Sequence, residues 1–456
     1  MACLFKTACT KLWNPPGLAI VTDTCVPSGI LSLLLAAQTH SNPVNDSKPQ
    51  VILLAYLYPP HWEIGSLRPF RFRKYLERMG YRCHVITASA QSEPCPAGVT
   101  VIGDPLGDIW EGEASGRLSF DGYIELVLRH LMFPGHIGLL WSRAAAAECR
   151  NIVKQNPTAR FVVFSTYPPI GSLLAGLFAC GKRTPWICDF RDPFDTLVPG
   201  ASSWYVRTCS RFTEKRVFRR AAAVIANTEP AAVAWQKQYP WARQKLHAIY
   251  NGYDPEESPR PRPIPARDHK LIVHAGTLYP GRNPNALIEG VARLRSQGVP
   301  EAMRAKVLLL GSVEKLHEAN WTLYQTAQRE GWLELRATVP RSEAQAIVEA
   351  ADALLIVQPQ TGVQVPGKLF EYICVGRPVL AIVPRSSPIE TILVNSALPS
   401  VCIYPDDPPE VWDRKVLEFL RLPNTPTELN EWFRANFDAR RQTEQLAAII
   451  EEIAAP

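Results

Sequence analysis

The segment VPGKLFEYICVGRPVL, residues 365–380, places Lys368 and Glu371 three residues apart, just after a Pro-Gly turn and at the head of an otherwise apolar helix. The first turn of a helix presents free N–H groups and the positive end of the helix dipole, so it favours an anion. Lys368 adds a full positive charge there. Glu371 lies one turn further on, on the same side. A carboxylate can accept hydrogen bonds from two neighbouring hydroxyls, as it does from ribose in dinucleotide sites. An anion beside a diol points to a nucleotide. The plainer reading has Glu371 complementing the helix dipole and Lys368 as a solvated surface charge.

Three other loops carry residues of the same kind. HAGTLYPGRNP (274–284) contains Gly276, Gly281 and Arg282 just before Pro284, a good first-turn residue. Arg282 can clamp a diphosphate in bidentate fashion. YLYPPHWEIGSLRPFRF (56–72) sets Gly65 and Ser66 at a helix start beside Arg68, with His61 upstream as a candidate acceptor or donor contact. DFRDPFD (189–195) supplies Asp189, Arg191, Asp192 and Asp195, and a carboxylate among them can contact substrate hydroxyls or act as a base. Each has a bland counterpart: an ordinary βα loop, a basic solvated helix face, or a self-satisfied Asp–Arg pair. His274 lies in a strand and reads as a core histidine.

Other chemistries are poorly represented. GxSxG, HExxH, GxxxxGK[ST] and GxGxxG are absent from suitable contexts, and DFRDPFD is not a DxD metal motif. The 11 cysteines include no CxxC pair, which favours buried free thiols in a reducing compartment.

The elements that must hold these loops follow a simple rhythm. VILLAY (51–56), CHVITA (83–88), FVVFST (161–166), WICDF (186–190) and AAVIANT (222–228) are apolar runs without alternation, as in strands buried on both faces of a parallel sheet. Helical patterns separate them. In FRFRKYLERMG, Phe72, Tyr75, Leu76 and Met79 share one face, while Arg71, Lys74, Arg78 and nearby Arg82 are basic. DPEESPRPRPIPARD (254–268), with five prolines, reads as a semi-rigid linker. The alternation then restarts with KLIVHAGT (270–277), KVLLLGS (306–312), LELRATV (333–339), ALLIVQP (353–359), RPVLAIV (377–383) and SVCIY (400–404). Ser342 and Gln345 in SEAQAIVEAA form a capping-box pattern, and a helical stretch at about 427–453 closes the chain.

The expected fold is α/β: two tandem Rossmann-like doubly wound domains facing an interdomain cleft. The boundaries are 49–253, a linker at 254–269, 270–426, and a C-terminal helix at 427–456. Residues 1–48 read as a disordered or mis-started extension. SGILSLLLAAQTH resembles a signal-peptide core, with Lys6 and Lys11 upstream, but Pro15, Pro16, Asp23 and Pro27 interrupt it. A net charge of +6 fits a phosphate-bearing ligand or an anionic membrane surface, and the Lys/Arg runs are sparse for a nucleic-acid binder.

Taken in order, YPPHWEIGSLRPFRFRKYLERMGYRCHVITA, DFRDPF, NGYDPE, HAGTLYPGRNP and VPGKLFEYICVGRPVLAIV resemble the family 4 glycosyltransferases with the GT-B fold, over about residues 49–450. The likeness is nearest to members that build bacterial exopolysaccharide or other surface glycans. It implies a hexosyltransferase-like enzyme whose second domain binds a UDP- or GDP-sugar and whose first binds a glycan or lipid-linked acceptor. It also implies retention of anomeric configuration, no bound metal, and no cofactor beyond the nucleotide-sugar co-substrate. The expected place is cytoplasmic, either free or peripheral at the inner face of the cell membrane; on the residues themselves, the basic face of Arg71, Lys74, Arg78 and Arg82 fits anionic lipid or plain solvent equally. By this likeness Gly276, Thr277, Arg282, Gly367, Lys368, Leu369 and Glu371 bind the donor. Gly65, Ser66 and Arg68 form the first-domain glycine loop, and Asp192, Arg191 and His61 are the catalytic candidates.

Three positions depart from the family pattern. Val363 stands where the first of its paired glutamates would be, Thr277 where an arginine is usual, and Arg191 where histidine is common. Backbone groups around 364–367 are expected to replace the lost carboxylate. Two other readings stay open on the sequence: a sugar-nucleotide epimerase of similar architecture, and a non-catalytic nucleotide- or glycan-binding protein.

Overall fold

The computed structural model describes residues 47–59, 64–88, 96–104, 137–181, 184–194, 203–278, 281–313, 321–359 and 362–455, with isolated positions 124, 127 and 197. The extension at residues 1–46, His61 and Asp195 lie outside the described residues.

The first sheet is built from β1 (Gln50–Leu54), β2 (Cys83–Thr87), β3 (Val99–Val101), β4 (Phe161–Tyr167), β5 (Trp186–Phe190), β6 (Ala223–Ala226) and β7 (Leu246–Ala248). The helices between them are α1 (Ile64–Arg78), α2 (Leu139–Gln155), α3 (Ile170–Ala179), α4 (Trp204–Arg220) and α5 (Glu229–Gln238). The strand order is β3-β2-β1-β4-β5-β6-β7 and the pairings are parallel. The short strands β3 and β7 sit at the sheet edges, where three residues each leave little apolar pattern to read.

The second sheet contains β8 (Lys270–Ala275), β9 (Ala305–Leu310), β10 (Leu333–Arg336), β11 (Ala353–Val357), β12 (Val379–Ile382) and β13 (Ser400–Ile403). Its helices are α6 (Asn285–Ser296), α7 (Pro300–Met303), α8 (Trp321–Arg329), α9 (Arg341–Glu349), α10 (Gly367–Val375), α11 (Pro388–Asn395) and α12 (Pro409–Arg421). The order is β10-β9-β8-β11-β12-β13, again parallel. Both sheets reverse direction once, between β1 and β4 and between β8 and β11. A ligand crevice forms beyond the carboxyl ends of the strands at such a reversal.

Two helices, α13 (Glu431–Phe437) and α14 (Ala439–Ala454), end the chain where the sequence suggested one. Asp438 separates them and caps α14 by accepting from the Arg440 N–H. The helix α14 returns to the first domain, where Leu446, Ile449 and Ile450 pack with Val51, Leu53, Phe72 and Leu76. The two chain crossings between domains lie side by side. Tyr253 and Asp438 form a parallel bridge, with Tyr253 N–H donating to the Phe437 carbonyl at 3.0 Å and Ala439 N–H to the Tyr253 carbonyl at 3.0 Å.

Two local expectations are corrected. The helix α9 begins at Arg341 behind Pro340, so Ser342 lies inside the first turn and makes no cap; Gln345 instead donates to Glu349 at 2.9 Å. The basic face of α1 does not face outward. Lys74 contacts Asp254 at 2.9 Å, Glu256 at 2.9 Å and Glu257 at 3.3 Å. Arg78 binds Glu256 through both guanidinium nitrogens, and Arg71 donates to the Gly252 carbonyl at 2.9 Å. The segment GYDPEE thus ties down Arg71, Lys74 and Arg78, three of the four cations that the sequence placed toward lipid, while Arg82 is exposed.

Candidate functional site

The site grows from α10 and the loop after β8. Pro366 precedes α10 and supplies no side-chain cap; its carbonyl accepts from the Leu369 N–H, and the N–H groups of Gly367 and Lys368 are left to other partners. Gly376 ends the helix at φ 71°, and its carbonyl accepts from Thr427 N–H at 2.8 Å. The buried Tyr372 locks the helix to the sheet, its hydroxyl accepting from Ala275 N–H at 2.9 Å. That bond brings Lys368 against the end of β8.

Gly276 is the residue Lys368 meets there. It adopts φ +136°, and a Cβ at this position would lie 2.2 Å from Lys368 Nζ. Only glycine satisfies both the backbone and the approach. Gly311, at the end of β9, packs on the Gly276 backbone in turn. Two adjacent strand ends are therefore stripped of side chains beside an ammonium group.

The pocket is cationic. Burial pulls the Lys368 ammonium down from 10.5 to about 8, Arg282 pushes the same way, and Glu371 opposes. Among the described residues no carboxylate lies within ion-pair distance of Lys368. His274, 2% exposed, forms the wall behind. Its Nδ1 contacts the Leu355 carbonyl at 2.8 Å. A carbonyl only accepts, so Nδ1 carries the proton and Nε2 is a bare acceptor. That Nε2 is buried without a partner among the described residues. Burial, then the charge of Lys368, hold His274 well below its ordinary value. A pocket that suppresses positive charge on its own side chains is one that an anion would relieve.

The other donor candidates divide. Gly367 opens α10 with open space where a side chain would go. Thr277 is exposed. Glu371 is partly exposed, with Arg341 3.4 Å away, a loose surface pair that leaves its second oxygen available. Leu369 has nothing to offer a ligand: its side chain is core and its N–H donates to the Pro366 carbonyl at 3.0 Å. Val363 turns toward the first domain, packing on that domain's core while its carbonyl accepts from Thr228 Oγ1 at 2.6 Å.

In the first domain, Arg68 is a structural tie. It binds Asp189 through two bonds of 2.9 and 2.7 Å and the carbonyls of Tyr250 and Ile249 at 2.6 and 2.9 Å. Asp189 is wholly buried in β5 and lies away from the cleft. Ser66 is buried too. The Gly65 position matters: a Cβ there would lie 2.6 Å from Leu57 and 3.3 Å from both terminal nitrogens of Arg191. Arg191 is held over the start of α1 by its bond to the Pro168 carbonyl. Phe194 stacks on Tyr167 at 4.6 Å and pins the loop, so that Asp192 alone among residues 186–194 is exposed. Protein crowding around its carboxyl raises the Asp192 pKa, and the charges of Arg191 and Arg282 oppose. A first-domain carboxylate thus senses a second-domain guanidinium, and the loops beyond both sheets meet.

Sequence reasoning missed His274 as a pocket wall, Tyr372 as the lock and the Thr228–Val363 contact. The tyrosine was visible in KLFEY; the others depend on which strands pair. Among the described residues no group of three His, Cys, Asp or Glu is placed to hold a metal ion.

Residues 70–257 match the model of Glycosyltransferase Family 4. No curated protein matches the chain by sequence. Solved structures share the fold at low identity. HepE from Anabaena, in complex with UDP and glucose, is 15% identical with a TM-score of 0.55, over 88% of this chain and 99% of its own. Sucrose-phosphate synthase from Thermosynechococcus elongatus is 13% identical, TM-score 0.54, over 89% and 98%. WaaG, a glycosyltransferase involved in lipopolysaccharide biosynthesis, is 16% identical, TM-score 0.51, over 89% and 98%. Residues 70–257 thus resemble family 4 glycosyltransferases, and the chain has the GT-B fold of the structures above.

Proposed function

We propose that the enzyme moves a sugar from a nucleoside-diphosphate sugar to a glycan or lipid-linked acceptor in surface polysaccharide biosynthesis, with retention and without a metal ion. The observation that carries this reading is Lys368, held against Gly276 beside Arg282 with its charge suppressed by burial. A diphosphate at the start of α10 would meet the helix N–H groups, Lys368 and Arg282 together. As the bond from the sugar's anomeric carbon to the diphosphate breaks, negative charge grows on the departing oxygen, and these groups stabilise it in place of a cation. Glu371, one turn along, is placed for the ribose diol. Asp192 and Arg191 enter from the acceptor side, where the raised Asp192 pKa suits a group that exchanges a proton with an acceptor hydroxyl. The UDP bound to HepE supports a uridine diphosphate sugar as the first donor to test, and the role of WaaG supports a surface-glycan acceptor.

The test is thermal stabilisation by UDP, GDP and dTDP, on wild type and on Glu371→Ala. A nucleotide at 100 times its dissociation constant adds about 2.7 kcal/mol. The reading expects one nucleotide to stabilise wild type and Glu371→Ala to lose most of that shift. If no nucleotide stabilises wild type at millimolar concentration, the donor reading fails.

A further inference from the structure

Away from the crevice, a cavity of about 20 Å³ lies where α1, residues 251–252 and the start of α14 meet. None of Lys368, Arg282 or Glu371 lines it. Gly252 organises its walls. The Gly252 carbonyl accepts from Arg71 Nη1 at 2.9 Å. Its missing side chain admits the Gln442 amide, since a Cβ there would lie 2.7 Å from Gln442 Nε2 and 2.2 Å from the Phe437 carbonyl oxygen. Arg71 Nε and Gln442 Nε2 are left buried, with no partner among the described residues, and Gln442 is only 4% exposed. Unpaired buried donors cost stability. Ala439 and Gln442 belong to the first turn of α14, so the positive end of that helix dipole faces the same space.

The charge around the cavity is unbalanced. Arg68 also lines it, but Asp189 takes that guanidinium through two bonds. Arg71 has no carboxylate within ion-pair distance among the described residues. Asp254 is bound to Lys74 and Tyr75, and Asp438 to Arg440. Two unpaired donors, one unopposed positive charge and a helix start converge on one space, and an anion satisfies all of them. A water needs about 10–15 Å³ of such space, so the cavity holds one or two water-sized bodies and is too small for a phosphate. We propose that it binds a monovalent anion of halide size, chloride in ordinary buffers, clasped between Arg71 of α1 and Gln442 of α14. The Phe72 ring closes one wall, and the partial exposure of Arg71 and Asn251 leaves a way in. The ion ties α1 to α14 beside the bridge between Tyr253 and Asp438, and so reinforces the place where the chain crosses between domains.

The experiment uses the full chain without nucleotide, which keeps it independent of the donor reading. Thermal unfolding is followed as sodium gluconate, whose anion is too large for the cavity, is exchanged for sodium chloride or bromide at constant ionic strength. The melting temperature should rise with halide by about 2–4 °C and then saturate, as binding to one site does. Chloride NMR should show line broadening by the protein, reversed by added bromide. Gln442→Glu sets a carboxylate beside Arg71 and supplies the anion from within the chain. It should melt in gluconate as wild type does in chloride, and lose the halide response. Arg71→Met removes the charge, and should lose the halide response and the line broadening. The proposal is overturned if wild type melts alike in gluconate and in halide, the result for a cavity that holds only water. A rise that never saturates also overturns it, since that is a general salt effect. So does a wild-type halide response in Gln442→Glu or Arg71→Met.

Discussion

On the proposed donor reading, raising the pH through 8 removes the charge on which diphosphate binding would rest. Lys368 titrates near 8 in the empty pocket because burial and Arg282 disfavour its ammonium form. A terminal phosphate has its second pKa at about 6, so a nucleoside diphosphate is fully ionised across this window. Beside that charge the lysine regains its proton. Affinity should therefore be complete below pH 8 and fall above it, by up to about tenfold or ~1.4 kcal/mol per pH unit. The fall should end near 10.5, the ordinary lysine value. Titration calorimetry with UDP in two buffers of different ionisation enthalpy reads the proton directly: uptake of about 0.5 per nucleotide at pH 8 and about 0.9 at pH 9. Lys368→Arg keeps its charge and should bind with a flat profile. Lys368→Met should bind weakly at neutral pH and take up no proton. In the absence of nucleotide the same lysine acts on folding with the opposite slope. Above pH 8 the unfolded chain still holds the proton that the native state has lost, so this group's contribution to stability rises toward pH 10.5. A wild-type affinity that stays flat from about pH 7 to 9.5 would refute the reasoning, as would Lys368→Met retaining the slope.

Gly276→Ala forces a side chain into φ +136° and into Lys368; urea melts should show a loss of about 1–3 kcal/mol, and UDP should no longer raise the melting temperature. Asp189→Ala strands the buried Arg68 guanidinium and should cost about 3–5 kcal/mol by urea denaturation, with Arg68→Lys unable to reproduce the paired fork. Leu446→Ala removes a fully buried contact between α14 and the first sheet; it should cost about 2–5 kcal/mol and increase amide exchange in β1, a strand far from residue 446 in sequence.

Much of the fold could be read from the chain because parallel strands buried on both faces leave continuous apolar runs. VILLAY and ALLIVQP have no other use. Strand order could not be read that way, since every run looks alike. The candidate pocket was legible in part for a related reason. Gly276, Lys368 and Glu371 lie in local motifs whose backbone demands show in residue type. Arg68 misled because its role is decided by Asp189, on another strand, and by carbonyls some 180 positions away. The basic face of α1 misled in the same manner. Its partners are Asp254, Glu256 and Glu257, which the sequence offered only as part of a proline-rich linker.

The paired crossings at Tyr253 and Asp438 limit how this molecule can breathe. A single tether between two bodies leaves three rotations open. Two segments joined by one isolated bridge, one running into the linker and one into α14, behave as a strap with a preferred bending direction. Twisting would shear the bonds between Tyr253, Phe437 and Ala439, whereas bending across the strap leaves them whole. Opening of the cleft should then follow one arc, and every excursion along it returns Arg282 to the same place near Asp192.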